Sequence, residues 1–153
     1  MISTFADLNP DVVRILMVED DPRDADLALQ RLELAGLDVR VTVVDTADAF
    51  LAELDRGDFD IVLSDFQLPT FSGPEALRLS QARPQPLPFV FVSGVLGEEN
   101  AVDMLREGAT DYVLKQRLER LPIVVRRALA EATEKRSRQD AERKLRERET
   151  YFG

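Results

Sequence analysis

Five short apolar segments alternate with five amphipathic segments along this chain, and this alternation restricts its possible folds more than any other feature. The apolar segments are rich in Val, Ile, Leu and Phe, which is typical of strands that are covered on both faces. The amphipathic segments repeat their apolar residues at helical spacing. The predicted strands are Arg14–Val18, Val39–Val44, Asp60–Ser64, Phe89–Ser93 and Tyr112–Leu114. The pattern predicts an α/β fold with a parallel sheet and right-handed helical crossovers.

Residues with capping preferences mark the ends of the predicted helices. Short polar side chains, in two cases followed by Pro, indicate where helices begin, and Gly indicates where they end. The predicted N-caps are Asp21, Thr46 and Ser72 or Gly73, and the predicted C-terminal glycines are Gly36, Gly57 and Gly108. The pattern is five strand–helix units.

The composition excludes several classes of chemistry. The 153 residues contain no Cys and no His, so disulfides, thiolate metal sites and the usual general base are all absent. Residues 1–133 hold 24 acids and 13 bases, a balance that disfavours direct binding to nucleic acid or to an anionic membrane. The first residues lack the blocks of a signal peptide, and no apolar run is long enough to span a membrane. We therefore expect a cytoplasmic protein.

Polar residues follow the predicted strands at the edge where open parallel sheets bind ligands. They are Glu19, Asp20 and Asp21 after the first strand, Asp65 after the third, Ser93 at the end of the fourth and Lys115 after the fifth. Because Asp21 is explained as an N-cap, Glu19, Asp20 and Asp65 remain as candidate ligands of a cation, with the Gln67 carbonyl as a neutral ligand. Mg²⁺ suits such a set, since it binds a few carboxylates and then phosphate oxygens.

Lys115 is the only Lys before residue 135, although that part of the chain contains 12 Arg. A compact ammonium with three freely oriented donors can pair with a carboxylate and then follow a phosphoryl oxygen. The composition therefore makes this single Lys conspicuous.

Four segments together resemble the signatures of the receiver domain of two-component response regulators. They are "MVEDD", "LSDFQLPTFSG", "FVFVSG" and "GATDYVLK", and the resemblance covers Arg14 to Leu129. It implies a flavodoxin-like, doubly wound sheet of five parallel strands in the order 2-1-3-4-5. It also implies a phosphoacceptor signalling module, not an enzyme with a separate substrate, that catalyses its own phosphoryl transfer and hydrolysis.

The resemblance also implies a role for each candidate residue. Asp65 would accept a phosphoryl group from a histidine kinase or phosphotransfer protein, with Mg²⁺ as cofactor. The remaining implied roles are metal binding for Glu19, Asp20, Asp65 and the Gln67 carbonyl, charge neutralisation for Lys115, hydrogen bonding to the phosphoryl group for Ser93, and switching for Ser93 and Tyr112. The pattern departs at Gln116, where the family commonly has Pro.

Two alternatives stand beside this interpretation. A Mg²⁺-dependent phosphatase of the haloacid dehalogenase type also uses an Asp after a strand, but it needs an acid two residues later, where Gln67 stands. The second alternative is a module that serves only for dimerisation, independently of phosphorylation. The presence of acceptor, metal acids, hydroxyl and Lys disfavours it.

The last part of the chain predicts an extended C-terminal helix. We expect a lead-in over residues 1–13, a receiver domain over 14–132, and a charged helical linker over 133–153 toward a downstream domain of a larger sensor kinase or similar protein. Residues 134–153 hold 5 acids and 7 bases, unlike the acidic part before them. An apolar stripe through Leu121, Val125 and Ala128 predicts a weak parallel homodimer through this helix.

Overall fold

A computed structural model describes residues 11–94 and 98–152, so most of the predicted lead-in lies outside the described residues. Five parallel strands form one sheet in the order β2-β1-β3-β4-β5. The strands are β1 (Val12–Val18), β2 (Asp38–Val44), β3 (Ile61–Ser64), β4 (Phe89–Ser93) and β5 (Asp111–Leu114). The predicted doubly wound α/β fold and its strand order are confirmed.

Helices connect the strands and cover both faces of the sheet. They are α1 (Pro22–Leu34), α2 (Ala47–Arg56), α3 (Gly73–Gln81), α4 (Glu98–Arg106) and α5 (Leu121–Phe152), and a 3₁₀ helix (Lys115–Arg120) precedes α5. The predicted caps are confirmed at Asp21, Thr46 and Ser72, whose side chains accept hydrogen bonds from backbone N–H groups of the first helical turn. Ser72, and not Gly73, is therefore the cap of α3.

Three of the five strands, β1, β2 and β5, begin one or two residues earlier than the apolar pattern predicts. β1 starts at Val12 instead of Arg14, because Val12 and Val13 pair with Asp38 and Val39 of β2. Backbone pairing with β2 therefore extends β1 by two residues before the predicted start of the strand. Strand ends are set by the neighbouring strand as well as by the strand's own side chains.

Alternate residues of each strand enter two separate hydrophobic clusters. In β1, Ile15 and Met17 pack on the side of α1 and α5, while Leu16 and Val18 pack on the side of α2, α3 and α4. Phe89 and Phe91 of β4 belong to the second cluster, with their ring centroids 5.1 Å apart. Both faces of the sheet are thus buried, as the apolar strands predict.

Helix α5 has a buried inner part and an exposed outer part. Leu121, Val125 and Ala128 are at most 2% exposed and pack against the sheet in the first cluster. The predicted pairing of these three residues between protomers is therefore wrong, because the domain's own core already buries them. Residues 133–149 have exposed side chains. Within the described parts of the chain, none of the helices is both long and apolar enough to cross a membrane.

Candidate functional site

Asp65 lies at the carboxyl end of β3, where four consecutive buried residues give way to a partly buried one. Its backbone N–H donates to the Val18 carbonyl at 2.9 Å, which extends the ladder between β3 and β1. One carboxylate oxygen, Oδ1, accepts a hydrogen bond from the Phe66 N–H at 2.7 Å. The strand and this bond together fix the orientation of the Asp65 carboxylate.

Glu19 and Asp20 follow β1, the strand next to β3. The Glu19 Oε2 atom accepts hydrogen bonds from the N–H groups of Asp20 and Asp21 at 3.1 and 3.2 Å. Burial raises the pKa of the Glu19 carboxyl, and hydrogen bonds from Lys115 and from the Asp21 N–H oppose that rise. One carboxylate oxygen each of Glu19, Asp20 and Asp65 lies within 4.8 Å of the other two. The structure thus brings the three predicted metal acids together.

The Lys115 ammonium reaches into this group of carboxylates. Its Nζ atom lies 2.8 Å from Glu19 Oε1, 2.8 Å from Asp24 Oδ2 and 2.9 Å from Asp65 Oδ2. Burial alone would lower the pKa of Lys115, but hydrogen bonds to Asp24, Glu19 and Asp65 raise the pKa above its ordinary value. The side chain therefore stays positively charged beside Asp65.

Asp24 is the site residue that the sequence did not indicate. It stands in the first turn of α1, where an acidic residue is favoured by the helix dipole in any protein. Its side chain is 33% exposed and forms an ion pair with Lys115 across 91 positions of sequence. Two features of the sequence could have pointed to Asp24. A single Lys needs acidic partners, and Asp24 follows the N-cap Asp21 by about one helical turn, close to the candidate site.

Ser93 lies on β4, the strand next to β3, and Tyr112 lies on β5, on the far side of β4. Ser93 is buried and pairs with Leu114, the residue before Lys115, so it stands at the same sheet edge as the carboxylates. Tyr112 pairs with Phe91 and packs against the second hydrophobic cluster, below that edge. The predicted switch residues are therefore on adjacent strands, with Ser93 nearer to the carboxylates.

Gln116 joins the loop after β4 to the end of β5. Its Nε2 atom donates a hydrogen bond to the Gly94 carbonyl at 3.2 Å. The Lys115–Gln116 peptide is trans, as are the other peptides of the described ranges. Where the family commonly has Pro, this chain has Gln116, whose side chain hydrogen-bonds to Gly94, the residue after Ser93.

The loop between β3 and α3 folds back onto the backbone of Asp65. Gln67 and Ser72 form an antiparallel bridge, and the Gly73 N–H donates to the Phe66 carbonyl at 2.8 Å. A Cβ atom on Gly73 would overlap the Asp65 carbonyl oxygen, and it would lie 2.6 Å from Phe91 Cε1 and 2.9 Å from Phe66 Cα. Only Gly permits this close return, which keeps Gln67 beside the end of β3.

The arrangement combines an oriented carboxylate, a positive charge beside it and a set of hard oxygen ligands. Asp65 offers a carboxylate oxygen, and Lys115 neutralises negative charge beside it. Three carboxylates this close carry more negative charge than the single Lys115 ammonium offsets, and Mg²⁺ suits oxygen ligands of this kind. The donor set therefore fits Mg²⁺ and the chemistry of phosphoryl transfer.

Comparison with known proteins gives one consistent answer. A family model described as the response regulator receiver domain matches residues 15–126. The chain is 33% identical over 120 residues to the response regulator protein FleR of Pseudomonas aeruginosa, which covers 77% of this chain and 25% of FleR. It is 30% identical over 118 residues to the regulatory protein LuxO of Vibrio cholerae, which covers 76% of this chain and 26% of LuxO. The chain thus spans about a quarter of the length of these bacterial relatives.

The solved structures give the same result. A CheY-like response regulator receiver domain from Methanospirillum hungatei JF-1 superposes with a TM-score of 0.67 at 31% sequence identity, which covers 81% of this chain and 98% of that one. These matches do not favour the phosphatase or the dimerisation-only alternative. The chain belongs to the response regulator receiver domain family, and it is a signalling module of that family.

Proposed function

We propose that Asp65 is the phosphoacceptor of this receiver domain. The observation that carries the proposal is the 2.9 Å contact between Lys115 Nζ and Asp65 Oδ2, at the centre of three acids able to hold a cation. Asp45 also follows a strand directly at the same sheet edge, but its side chain is exposed. Asp65 therefore differs from Asp45 in its burial and in its charged neighbours, and not in its position after a strand.

Transfer requires the Asp65 carboxylate to attack phosphorus in line. An Asp65 oxygen forms the new P–O bond, the P–N bond of the donor phosphohistidine breaks, and the leaving imidazole takes up a proton. Lys115 offsets negative charge on the transferring phosphoryl oxygens. The product is an acyl phosphate on Asp65, which water hydrolyses in a second, self-catalysed step. The donor is a histidine kinase or a phosphotransfer protein.

Mg²⁺ is the proposed cofactor. Glu19, Asp20 and Asp65 would hold it together with the Gln67 carbonyl, and when bound it supplies positive charge for the phosphoryl oxygens. Both Glu19 oxygens are already hydrogen-bonded, one to Lys115 and the other to two backbone N–H groups. Glu19 also has the longer side chain and can reach the cation through a water, so Asp20 and Asp65 would contribute more to the binding energy of the cation than Glu19 does.

The output is a change in the face formed by α4, β5 and α5. Ser93 would donate to the phosphoryl group and draw the loop after β4 toward Asp65, which makes room for Tyr112 to rotate. Residues 14–132 form the receiver, and residues 133–153 form a linker to a downstream domain of a cytoplasmic sensor kinase or similar protein. The acidic receiver does not bind nucleic acid or a membrane directly.

A weak homodimer through α5 must use residues outside the buried inner stripe. Among the described side chains of α5, the exposed large apolar residues are Ile123, 61% exposed, and Leu145, 57% exposed. Sedimentation with and without beryllium fluoride tests this pairing. We expect a concentration-dependent dimer that beryllium fluoride strengthens, and a monomer at high concentration in both states would exclude it.

The acceptor is tested by mass spectrometry after incubation with Mg²⁺ and acetyl phosphate. The wild-type protein should gain one acid-labile phosphoryl group, and Asp65→Asn should gain none. Asp45→Asn is the matched control, because it removes the same group from the residue that follows β2, and it should be modified like the wild type. Undiminished phosphorylation of Asp65→Asn would place the acceptor elsewhere.

A further inference from the structure

Lys115 has three carboxylate partners, and one of them lies outside the group that could hold a cation. An ammonium has three N–H donors, and the contacts with Glu19, Asp65 and Asp24 use all three. Glu19 and Asp65 belong to the cation-binding group, whereas Asp24 does not. Asp24 therefore differs in function from the other two partners.

Asp24 is also the partner whose charge the reaction leaves unchanged. In the proposed function, Glu19 and Asp65 would bind a cation, and phosphorylation of Asp65 converts its carboxylate to an acyl phosphate, whose negative charge lies on the phosphoryl oxygens. Each event weakens the attraction of those two groups for the Lys115 ammonium. Asp24 lies in the first turn of α1, outside the group of acids that could hold the cation, and it takes no part in bond formation.

We propose that Asp24 is a positioning residue that keeps Lys115 directed at the phosphoryl group while the other carboxylates bind the cation and react. A free Lys side chain has many rotamers, and an ammonium restrained by only one charged partner spends less time in the reactive geometry. Asp24 supplies a second restraint, at 2.8 Å, from the first turn of α1. This inference rests on the proposed function of Asp65.

The test is the rate of phosphorylation by a radiolabelled small donor at saturating Mg²⁺. Asp24→Ala should slow the reaction about tenfold, the effect of losing one charge-assisted hydrogen bond that positions a group in the transition state. Asp24→Glu keeps the charge and should recover most of the rate. Asp26→Asn is the matched control, because Asp26 is an exposed acid of the same helix, and it should react like the wild type.

A double-mutant cycle separates positioning of Lys115 from a general structural role. In a Lys115→Ala background, Asp24→Ala should change the rate less than about twofold, since Asp24 then has no ammonium to position. An equal slowing in both backgrounds, or a wild-type rate in Asp24→Ala, would overturn the inference. If the wild-type protein were not phosphorylated at Asp65, the proposed function would fail instead, so the two failures are distinguishable.

Discussion

Replacement of Gly73 by Ala tests how tightly the loop after β3 is packed against the acceptor. The added Cβ would overlap the Asp65 carbonyl oxygen and would lie 2.6 Å from Phe91 Cε1 and 2.9 Å from Phe66 Cα. Two of these three atoms belong to the backbone, and the Phe91 ring is fully buried, so none of them can move aside without disturbing its neighbours. Gly73 does not have a positive φ, so the cost is steric and not conformational.

Overpacking of this kind costs ~1–3 kcal/mol, and the two backbone contacts place Gly73→Ala near the upper end, at about 3 kcal/mol. With a urea dependence of ~2 kcal/mol per molar, the midpoint of unfolding should fall by about 1.5 M. Displacement of the Asp65 carbonyl should also slow phosphorylation by acetyl phosphate. The assay is urea denaturation followed by circular dichroism, with phosphorylation measured on the folded protein.

Gly94→Ala is the control for this experiment. A Cβ on Gly94 would lie 3.9 Å from Lys115 Cδ, an ordinary contact, so its unfolding midpoint should stay close to that of the wild type. A loss of less than about 0.5 kcal/mol in Gly73→Ala would refute the reasoning. It would mean that the loop moves freely and does not hold the backbone of Asp65.

Three further predictions concern the core, the cation and the helix cap. Truncation after Ala132 should change the free energy of unfolding by less than about 0.5 kcal/mol, whereas Leu121→Ala should cost ~2–5 kcal/mol, as measured by urea denaturation. Asp20→Asn should weaken Mg²⁺ binding in a titration more than Glu19→Gln does, and equal losses would contradict the assignment. Hydrogen bonds from the Arg23 backbone and side chain lower the pKa of Asp21. The stabilisation that Asp21 contributes is therefore complete above its unfolded pKa of about 3.9 and is lost as the pH falls through the lower folded pKa. Asp21→Asn should make the free energy of unfolding fall less steeply at acidic pH.

The sequence predicted the sheet and most of the site because each depends on a local pattern. Apolar runs identify strands that are covered on both faces, and the carboxyl ends of parallel strands meet at one edge whatever the details of packing. Glu19, Asp20, Asp65 and Lys115 all stand directly after strands, so the topology alone places them together. Their predicted chemical roles still await the experiments above.

The residues that the sequence did not reveal depend on contacts between distant segments. Asp24 sits in a helix, and only the packing of the start of α1 beside the end of β5 brings it to Lys115. The same limit explains the wrong prediction for Leu121, Val125 and Ala128. A helical apolar stripe shows that a surface is buried, but it does not show whether the chain's own sheet or a second protomer buries it.

Helix α5 acts mechanically as a lever that begins inside the core. It runs without a break from Leu121, which is fully buried, to Phe152. At 1.5 Å per residue, the part in contact with the domain, residues 121–129, measures about 13 Å, and residues 133–152 extend for about 30 Å. A tilt of the inner part is therefore magnified roughly twofold at the far end. Sub-ångström repacking at the sheet would thus become a displacement of about twice that size at the far end of the helix.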